Sequence, residues 1–218
     1  QAVALPKDVA FDVGACLGIP ALTALHAVRM DGGVEGKSVL VTGGAGAVGH
    51  YAVQMARLAG ARQVIATASS AGKAALARQA GADEVIDYRR EDVAARALAA
   101  TGGEGVDRVI EVDFAANVGA SLAAVRAEGD IVVYGSGAAE IAVPFFPAIL
   151  KNVRVRFFIV YNLSPADRAA AIAQLTSWLG DGKLAHNIAA RLPLPSIAEA
   201  HELVESGGAT GNVVLTID

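Results

Sequence analysis

The feature that most constrains the fold is the change of pattern between residues 38 and 60. Val39, Leu40 and Val41 form a short apolar run, and a cluster of glycines follows it between positions 43 and 49. After the glycines, apolar residues recur at helical spacing. A short apolar run bounded by glycine is typical of a buried strand, and the later spacing is typical of a helix. The stretch therefore predicts a strand, a tight turn and a helix in succession.

The same alternation continues along the chain. It predicts strands at residues 39–41, 64–68, 84–87, 106–112, 130–135 and 153–161, and helices at residues 48–58, 73–80, 91–100 and 118–125. Apolar residues make up 54% of the chain and aromatic residues only 5%, which favours small-residue helices on strands that are buried on both faces. The predicted fold class is α/β, a doubly wound parallel sheet of the Rossmann type with right-handed crossovers.

The two ends of the chain depart from this alternation. The apolar segment "ALTALHAV" lies ahead of the first strand and is expected to be helical. Later, Ser164 and Pro165 are typical of a helix start, and a second helix precedes the final run "NVVLTID". We predict a connection and helix in residues 1–30, a Rossmann domain in residues 31–185, and a separate C-terminal segment in residues 186–218.

Charge and composition exclude several classes of function. The net charge is −4 and no basic stripe is present, which argues against a nucleic-acid partner. No apolar run reaches the ~18 residues of a membrane span, so no membrane partner is expected. The one cysteine, Cys16, and the scattered histidines predict neither a metal site nor a nucleophilic catalytic set. We expect a cytoplasmic protein.

The glycine-rich turn matches the G-x-G-x-x-G pattern of dinucleotide-binding loops. Its first glycine would allow a tight turn, its second a close approach of a pyrophosphate, and its third close packing of helix on strand. The N–H groups that begin the helix would favour a phosphate. The alternative is a tight turn without a ligand. The predicted cofactor-binding residues of this loop are Gly44, Ala45, Gly46, Ala47, Val48 and Gly49.

The absence of an acidic residue near the second strand distinguishes between cofactors. A site for NAD usually carries Asp or Glu ~20 residues after the first glycine of the loop. Here no acid occurs between Gly43 and Asp83, and Ser69, Ser70 and Lys73 follow the second strand instead. Hydroxyl groups and an ammonium suit a 2′-phosphate, so NADP(H) is the predicted cofactor. The alternatives are helix capping for the serines and a solvated charge for Lys73.

Tyr88, Arg89 and Arg90 follow the third strand, which lies beside the second in this topology. Tyr88 is therefore predicted to complete the phosphate pocket, and the two arginines are further candidates. For Arg90, a solvated charged surface is the favoured alternative.

Several segments together are similar to one family, the zinc-independent quinone oxidoreductases of the medium-chain dehydrogenase/reductase superfamily, especially their zeta-crystallin-like branch. The matching segments are "LGIPALTALHAV", "VLVTGGAGAVGHYAVQMARLAGARQVIATASS", "GADEVIDYRRED", "EVDFAANV", "VVYGSGAAEIAVPF" and "AEAHELVESGGATGNVVLTI". The resemblance implies NADPH-dependent hydride transfer to quinones or to activated alkenes such as enones. It also implies a homodimer in which the strand at residues 153–160 of one chain pairs with the same strand of the other.

The resemblance implies a second domain as well. Family members have a GroES-like substrate domain ahead of the Rossmann domain, and their C-terminal strand returns to it. This chain begins near the connection between the two domains, so terminal segments are expected to belong to an absent partner domain. Zinc-dependent relatives carry a catalytic Cys where Ile19 stands here, which favours the zinc-free class.

The resemblance also assigns residues to the rest of the cofactor. Gly135 and Ser136 would lie beside the nicotinamide ribose, and the backbone around Phe158 and Ile159 near the carboxamide. The middle of the cofactor would be lined by Asp113, Phe114 and Asn117, for which the alternatives are loop capping and core packing. Asn212 stands where the family often has Lys, which weakens any contact there.

The sequence leaves more than one function open. The first hypothesis is an NADPH-dependent reductase of quinones or enones, of which this chain is the cofactor-binding part. The alternatives are an NADP(H)-binding module without turnover of its own, a zinc-free enoyl or alkenal reductase, and a structural domain that binds no nucleotide.

Overall fold

A computed structural model describes residues 3–217 of the chain. Its main sheet has six strands, all parallel, in the order β3-β2-β1-β4-β5-β6. This order confirms the predicted Rossmann-type α/β fold, in which ligands bind where the strand order reverses, between β1 and β4. The strands are β1 Ser38–Val41, β2 Gln63–Ala68, β3 Glu84–Asp87, β4 Val106–Glu111, β5 Val125–Val133 and β6 Arg154–Phe157.

Helices cover both faces of the sheet. One hydrophobic core includes Val39 and Val41 of β1, and the other includes Leu40, because successive strand residues point to opposite faces. Within residues 3–217, no helix is long and apolar enough to cross a membrane. The helices are α1 Phe11–Ala15, α2 Leu22–Arg29, α3 Ala47–Leu58, α4 Ala71–Gln79, α5 Val93–Ala100, α6 Phe114–Ala124, α7 Phe145–Ile149, α8 Pro165–Gly180 and α9 Ile197–Glu205.

The structure corrects the predicted boundaries around α6 and β5. The helix predicted at residues 118–125 begins four residues earlier, because Asp113 caps it by accepting a hydrogen bond from the Ala116 N–H at 3.3 Å. The strand predicted at residues 130–135 instead spans Val125–Val133. Its register against β4 shifts after its first residue, and Glu128 adopts a φ of +57°. Such an irregularity interrupts the regular pattern of apolar residues from which a strand is predicted, so the first part of β5 was missed.

The last strand of the main sheet is also shorter than predicted. Strand β6 ends at Phe157, and a 3₁₀ turn occupies Val160–Asn162, so the strand predicted at residues 153–161 covers too much. The C-terminal segment forms a separate parallel pair, β7 Ile188–Pro193 and β8 Asn212–Thr216. Only β8 was predicted. Residues 1, 2 and 218 of the predicted terminal segments lie outside the described residues.

A buried arginine joins the sheet to the end of α2. Arg108 of β4 is 0% exposed, and its guanidinium lies 3.1 Å from the carboxylate of Asp130. The same guanidinium donates to the carbonyl oxygen of Met30 at 2.9 Å, and also to those of Ala27 and Val28. Asp130 is paired on its other side with Arg154 of β6 at 2.7 Å. This network connects α2, β4, β5 and β6 through charge as well as packing.

Candidate dinucleotide-binding site

The glycines between β1 and α3 each meet a different constraint. Gly43 has a φ of +65°, a left-handed conformation that residues with a Cβ rarely adopt. A Cβ on Gly44 would lie 2.7 Å from the Cβ of Ala66 in β2, and a Cβ on Gly49 would overlap the carbonyl oxygen of Gly43. The tight turn is therefore made by Gly43, whereas the sequence pattern assigned that role to Gly44. Gly44 instead lets the loop pack closely against β2.

The outer side of the same loop is open. Among residues 3–217, the nearest atom to a Cβ built on Gly46 is the carbonyl oxygen of Gly43, at 3.3 Å, and Gly46 itself is exposed. Gly46 is the residue before α3, and Ala47 and Val48 begin the helix half-buried. The first N–H groups of a helix have no intrahelical acceptor, and the helix dipole adds a partial positive charge. The open loop is thus suited to a phosphate.

A threonine that the sequence reasoning missed holds the loop in place. The side-chain oxygen of Thr67 accepts a hydrogen bond from the Gly43 N–H at 3.0 Å, and its carbonyl oxygen accepts one from the Gly44 N–H at 2.9 Å. Thr67 lies near the end of β2, beside the loop. The sequence did show a hydroxyl side chain near the end of a buried strand, and this pattern could have identified Thr67 as a contact of the loop. Thr67 fixes the loop against β2 before any ligand binds.

Most of the predicted phosphate-pocket residues lie around one cavity. It has a volume of about 180 Å³ and brings Ser69, Lys73 and Tyr88 together with the glycine loop. Ser70 does not line it, because its side chain caps α4 by accepting from the Lys73 N–H at 3.3 Å. Arg90 lies 3.8 Å from Asp87 on the surface, which agrees with the alternative weighed for it. The cavity therefore combines an ammonium, a serine hydroxyl and a phenol.

A second cavity lies at the end of β4. It has a volume of about 190 Å³, and its lining includes Asp113 and Asn117, as well as Thr42 and Thr67. The side chain of Phe114 is fully buried and packs against the ring of Phe157, with 5.7 Å between ring centroids. Its side chain belongs to the hydrophobic core rather than to the cavity, which was the alternative left open for it.

A third cavity, of about 730 Å³, lies at the ends of β5 and β6. The predicted residues Gly135, Ser136, Phe158 and Ile159 all line it. A Cβ on Gly135 would overlap the carbonyl oxygen of Val112, so the β5 end must approach the β4 end closely. The three cavities follow the carboxyl edge of the sheet, the edge at which ligands bind in this fold.

His26 contributes to the wall of the third cavity, and the sequence reasoning assigned it no role. Its ring packs edge-on against Phe158, with 4.9 Å between centroids. Burial lowers the pKa of His26, although the carboxylates of Asp167 and Asp31 partly oppose that shift. At neutral pH the ring is therefore uncharged, and it gives this cavity a polar group without a charge.

The C-terminal segment closes over the glycine loop. The amide of Asn187 donates to the carbonyl oxygen of Ala45 at 3.2 Å, and Ala209 and Thr210 line the same cavity as Lys73. Asn212 does not reach toward this cavity by a hydrogen bond; its amide and its N–H both donate to the carbonyl oxygen of Asn187. These contacts join residues far apart in the chain, and no local pattern predicts them.

Helix α3 holds the start of this segment through Gln54. The Gln54 side-chain oxygen accepts from the Ala185 N–H at 2.7 Å, and its nitrogen donates to the Ala185 carbonyl at 3.0 Å. The same nitrogen lies 3.0 Å from Nδ1 of His50. Because the Ala185 N–H fixes the orientation of the amide, its NH₂ group faces Nδ1 as well as the His50 carbonyl oxygen at 3.1 Å, which disfavours a proton on Nδ1 and favours the neutral ring. Burial, and then the nearby His186, lower the pKa of His50.

We expect the stability of the chain to fall in mild acid, in part because of His50. Its folded pKa lies below the value of about 6.5 in an unfolded chain, so the unfolded chain binds the proton first. The stability that His50 contributes is fully present above its unfolded pKa of about 6.5 and is lost as the pH falls from that value through the folded pKa. Between pH 8 and pH 5, the free energy of unfolding measured in urea should decline less steeply in H50Q than in the unmodified chain. Equal slopes in H50Q and the unmodified chain would contradict the assignment.

Within residues 3–217, no group of three or more His, Cys, Asp or Glu side chains is placed to hold a metal ion. Cys16 is buried, and its thiol donates to the carbonyl oxygen of Asp12 at 3.3 Å. Burial raises the pKa of the Cys16 thiol, which keeps it protonated at neutral pH.

Comparison with known protein families gives one family match. The family described as "Zinc-binding dehydrogenase" matches residues 47–177. Human quinone oxidoreductase is 31% identical over 216 residues, which cover 98% of this chain and 65% of the human protein. The orangutan (Pongo abelii) quinone oxidoreductase is 32% identical over the same coverage. The chain therefore spans about 65% of the length of these curated relatives.

Solved structures agree with this match. The structure of Escherichia coli quinone oxidoreductase complexed with NADPH superposes with a TM-score of 0.88 at 27% identity, over 99% of this chain and 68% of that one. A mycobacterial protein complexed with NADPH gives a TM-score of 0.90 at 29% identity, over 99% and 67%.

Proposed function

This chain belongs to the zinc-binding dehydrogenase family, within the medium-chain dehydrogenase/reductase superfamily, and we propose that it binds NADP(H) as the cofactor-binding part of a quinone or enone reductase. The observation that carries the proposal is the cavity that joins the glycine loop to Lys73, Ser69 and Tyr88. No acid occurs between Gly43 and Asp83 to repel a 2′-phosphate. Relatives described as NADPH complexes support the same cofactor.

The residues of this chain divide the work of binding. Lys73 and Ser69 would hold the 2′-phosphate, and the N–H groups at the start of α3 would hold the pyrophosphate. Gly135, Ser136 and the backbone at Phe158 would orient the nicotinamide at the third cavity. When bound, NADPH supplies the hydride that reduces the acceptor. The protein residues then serve to position the reacting groups and to exclude water, and we propose that no zinc takes part.

Titration of the purified chain tests the cofactor assignment. We expect NADPH to bind at lower concentration than NADH, because only NADPH carries the phosphate that Lys73 would meet. The fluorescence of the reduced nicotinamide reports binding of both cofactors directly. Equal affinities, or no binding of either cofactor, would contradict the proposal.

Replacing Lys73 by alanine should affect the two cofactors differently. Loss of a charged hydrogen bond weakens NADPH binding by about 1–3 kcal/mol and leaves NADH binding nearly unchanged. The matched control is K183A, since Lys183 pairs with Asp181 and does not line the three cavities. Fluorescence titration of both variants with both cofactors gives the comparison. A parallel loss of NADPH and NADH affinity in K73A would show that Lys73 does not recognise the phosphate.

A second candidate function is an NADP(H)-binding module without turnover of its own. It is favoured by the coverage of the relatives, because about a third of their length has no counterpart in these residues. The test measures NADPH consumption with a simple quinone, and with an enone, by this chain and by a longer chain extended upstream. Activity confined to the longer chain would support the module; activity of the 218-residue chain would support a self-sufficient reductase. A cytoplasmic location stays a prediction.

We also propose that two copies of the chain associate through the edge of the sheet at residues 153–160. Strand β6 is an edge strand; its last residue, Phe157, is exposed, and so are Phe146 and Leu150, which precede the strand in the chain. An uncovered apolar edge favours pairing with another chain. Sedimentation should detect a dimer, and L150D should shift it toward monomer without changing NADPH affinity. An unmodified chain that stays monomeric throughout the concentration range of the measurement would contradict this proposal.

A further inference from the structure

Glu111, the last residue of β4, is a buried carboxylate held by neutral donors. Its side chain is 0% exposed. One oxygen accepts from the Thr42 hydroxyl at 2.9 Å, the Asp113 N–H at 2.8 Å and the Asn117 amide at 2.8 Å; the other accepts from the Ser121 hydroxyl at 2.7 Å. A buried carboxylate persists only where donors replace the water it has lost. The sequence reasoning treated Glu111 as an ordinary strand residue.

The donors come from the loops that surround the proposed cofactor site. Thr42 immediately precedes Gly43, and its hydroxyl oxygen also accepts from the Val112 N–H at 2.9 Å. Asp113 ends the short loop between β4 and α6, and its carboxylate accepts from the Gly137 N–H at 2.8 Å. Glu111 thus links the β1 end to the β4 end directly, and to the β5 end through Asp113. Each of these three strand ends lines at least one of the three cavities.

We propose that Glu111 is a positioning residue for the dinucleotide. By hydrogen-bonding Thr42 and the Asp113 N–H, it fixes the spacing between the glycine loop and the β4–α6 loop, so that the cofactor meets walls already in place. The inference rests on the proposed function, because the loops matter only if a dinucleotide binds between them. Glu111 itself makes no contact with the cofactor and acts through the loops that it holds.

The geometry predicts which substitutions the site tolerates. In E111Q, the side-chain oxygen can accept the same three hydrogen bonds, and the new NH₂ group can donate to the Ser121 hydroxyl, which is able to reverse its role. E111L removes the acceptor of the Asp113 N–H, the Asn117 amide and the Ser121 hydroxyl, whereas the Thr42 hydroxyl keeps the Ile110 carbonyl oxygen at 3.2 Å. Each unsatisfied buried donor costs about 1–3 kcal/mol, so the loops around Thr42 and Asp113 are expected to move toward other acceptors.

The experiment compares NADPH affinity and stability in the 218-residue chain. We expect E111L to weaken NADPH binding by more than about tenfold and E111Q to stay within about threefold of the unmodified chain. The control is L122A, a core substitution in the neighbouring helix α6, where Leu122 is 1% exposed. It should destabilise the fold and leave NADPH affinity within the same threefold range. Circular dichroism and thermal unfolding show which variants are folded at the titration temperature.

Each outcome decides the inference. Normal NADPH affinity in E111L overturns it, and so does an equal loss in L122A, which would assign the effect to stability alone. A loss in E111Q as large as in E111L also overturns it, because hydrogen bonding would not then restore the site. If E111L does not fold, T42V removes one hydroxyl from the same network, and unchanged NADPH affinity in T42V would overturn the inference. An unmodified chain that binds no NADPH would instead contradict the proposed function.

Discussion

Replacing Arg108 by methionine is expected to destabilise the chain by about 3–5 kcal/mol, the range for removing one partner of a buried ion pair. Arg108 is fully buried, and its loss leaves the carboxylate of Asp130 with Arg154 as its remaining cationic partner. It also removes one donor from the carbonyl oxygens at the end of α2, of which that of Met30 still accepts from the Gly33 N–H at 3.1 Å. Urea unfolding measures the change as a lower midpoint at an unchanged slope.

Two further variants separate the causes of this loss. R154M removes the exposed partner of Asp130 and should cost about 1 kcal/mol, because a solvated arginine is screened. The double variant R108M/D130L removes both buried charges and should be more stable than R108M alone, since no buried carboxylate is then left with only a solvated arginine as its partner. A loss in R108M as small as in R154M would show that water replaces the guanidinium. Equal stability of R108M and the double variant would exclude the loss of the buried partner of Asp130 as the cause.

The fold was predictable because its signals are local. Each strand and the helix after it depend on spacing within about a dozen residues, and glycine marks most of the turns between them. Ser164 caps the helix that follows, as such residues commonly do, and this signal marked the start of α8. Strand β7 lacks such a signal. It is identified by its pairing with β8, more than twenty residues later in the chain (Ile188 with Asn212).

The candidate site was predictable in part for the same reason. The glycine loop, Lys73 and Tyr88 lie in short segments whose topology is fixed by the parallel sheet, and they line one cavity. Thr67 and Glu111 were missed because each acts on a loop from another strand. Asn117 and Ser121 are four residues apart on α6, and both donate to the carboxylate of Glu111. The sequence shows that they share a face of the helix, but it does not show which residue that face meets.

Replacing Gly49 by alanine is expected to disrupt both the fold and the proposed cofactor site. The added Cβ would overlap the carbonyl oxygen of Gly43, and its next neighbours are also backbone atoms of Gly43 and Gly44. No side-chain rotation can relieve this contact, so α3 must move away from the loop. Overpacking of this kind costs about 3 kcal/mol or more. The displaced loop should also weaken NADPH binding by more than about tenfold, because the helix N–H groups no longer face the open side of Gly46.

Gly119 provides the matched control for this substitution. It lies exposed in the middle of α6, and within the described part of the chain no atom lies within 4 Å of a Cβ built there. Alanine should therefore stabilise this helix by about 0.5–1 kcal/mol and leave NADPH binding unchanged. Urea unfolding and NADPH titration of both variants then compare one chemical change at two positions. We expect it to lower the free energy of unfolding at Gly49 and to raise it at Gly119. If G49A unfolds at the same urea concentration as the unmodified chain, helix α3 has room to shift. Close packing at Gly49 would then not be what fixes the conformation of the glycine loop.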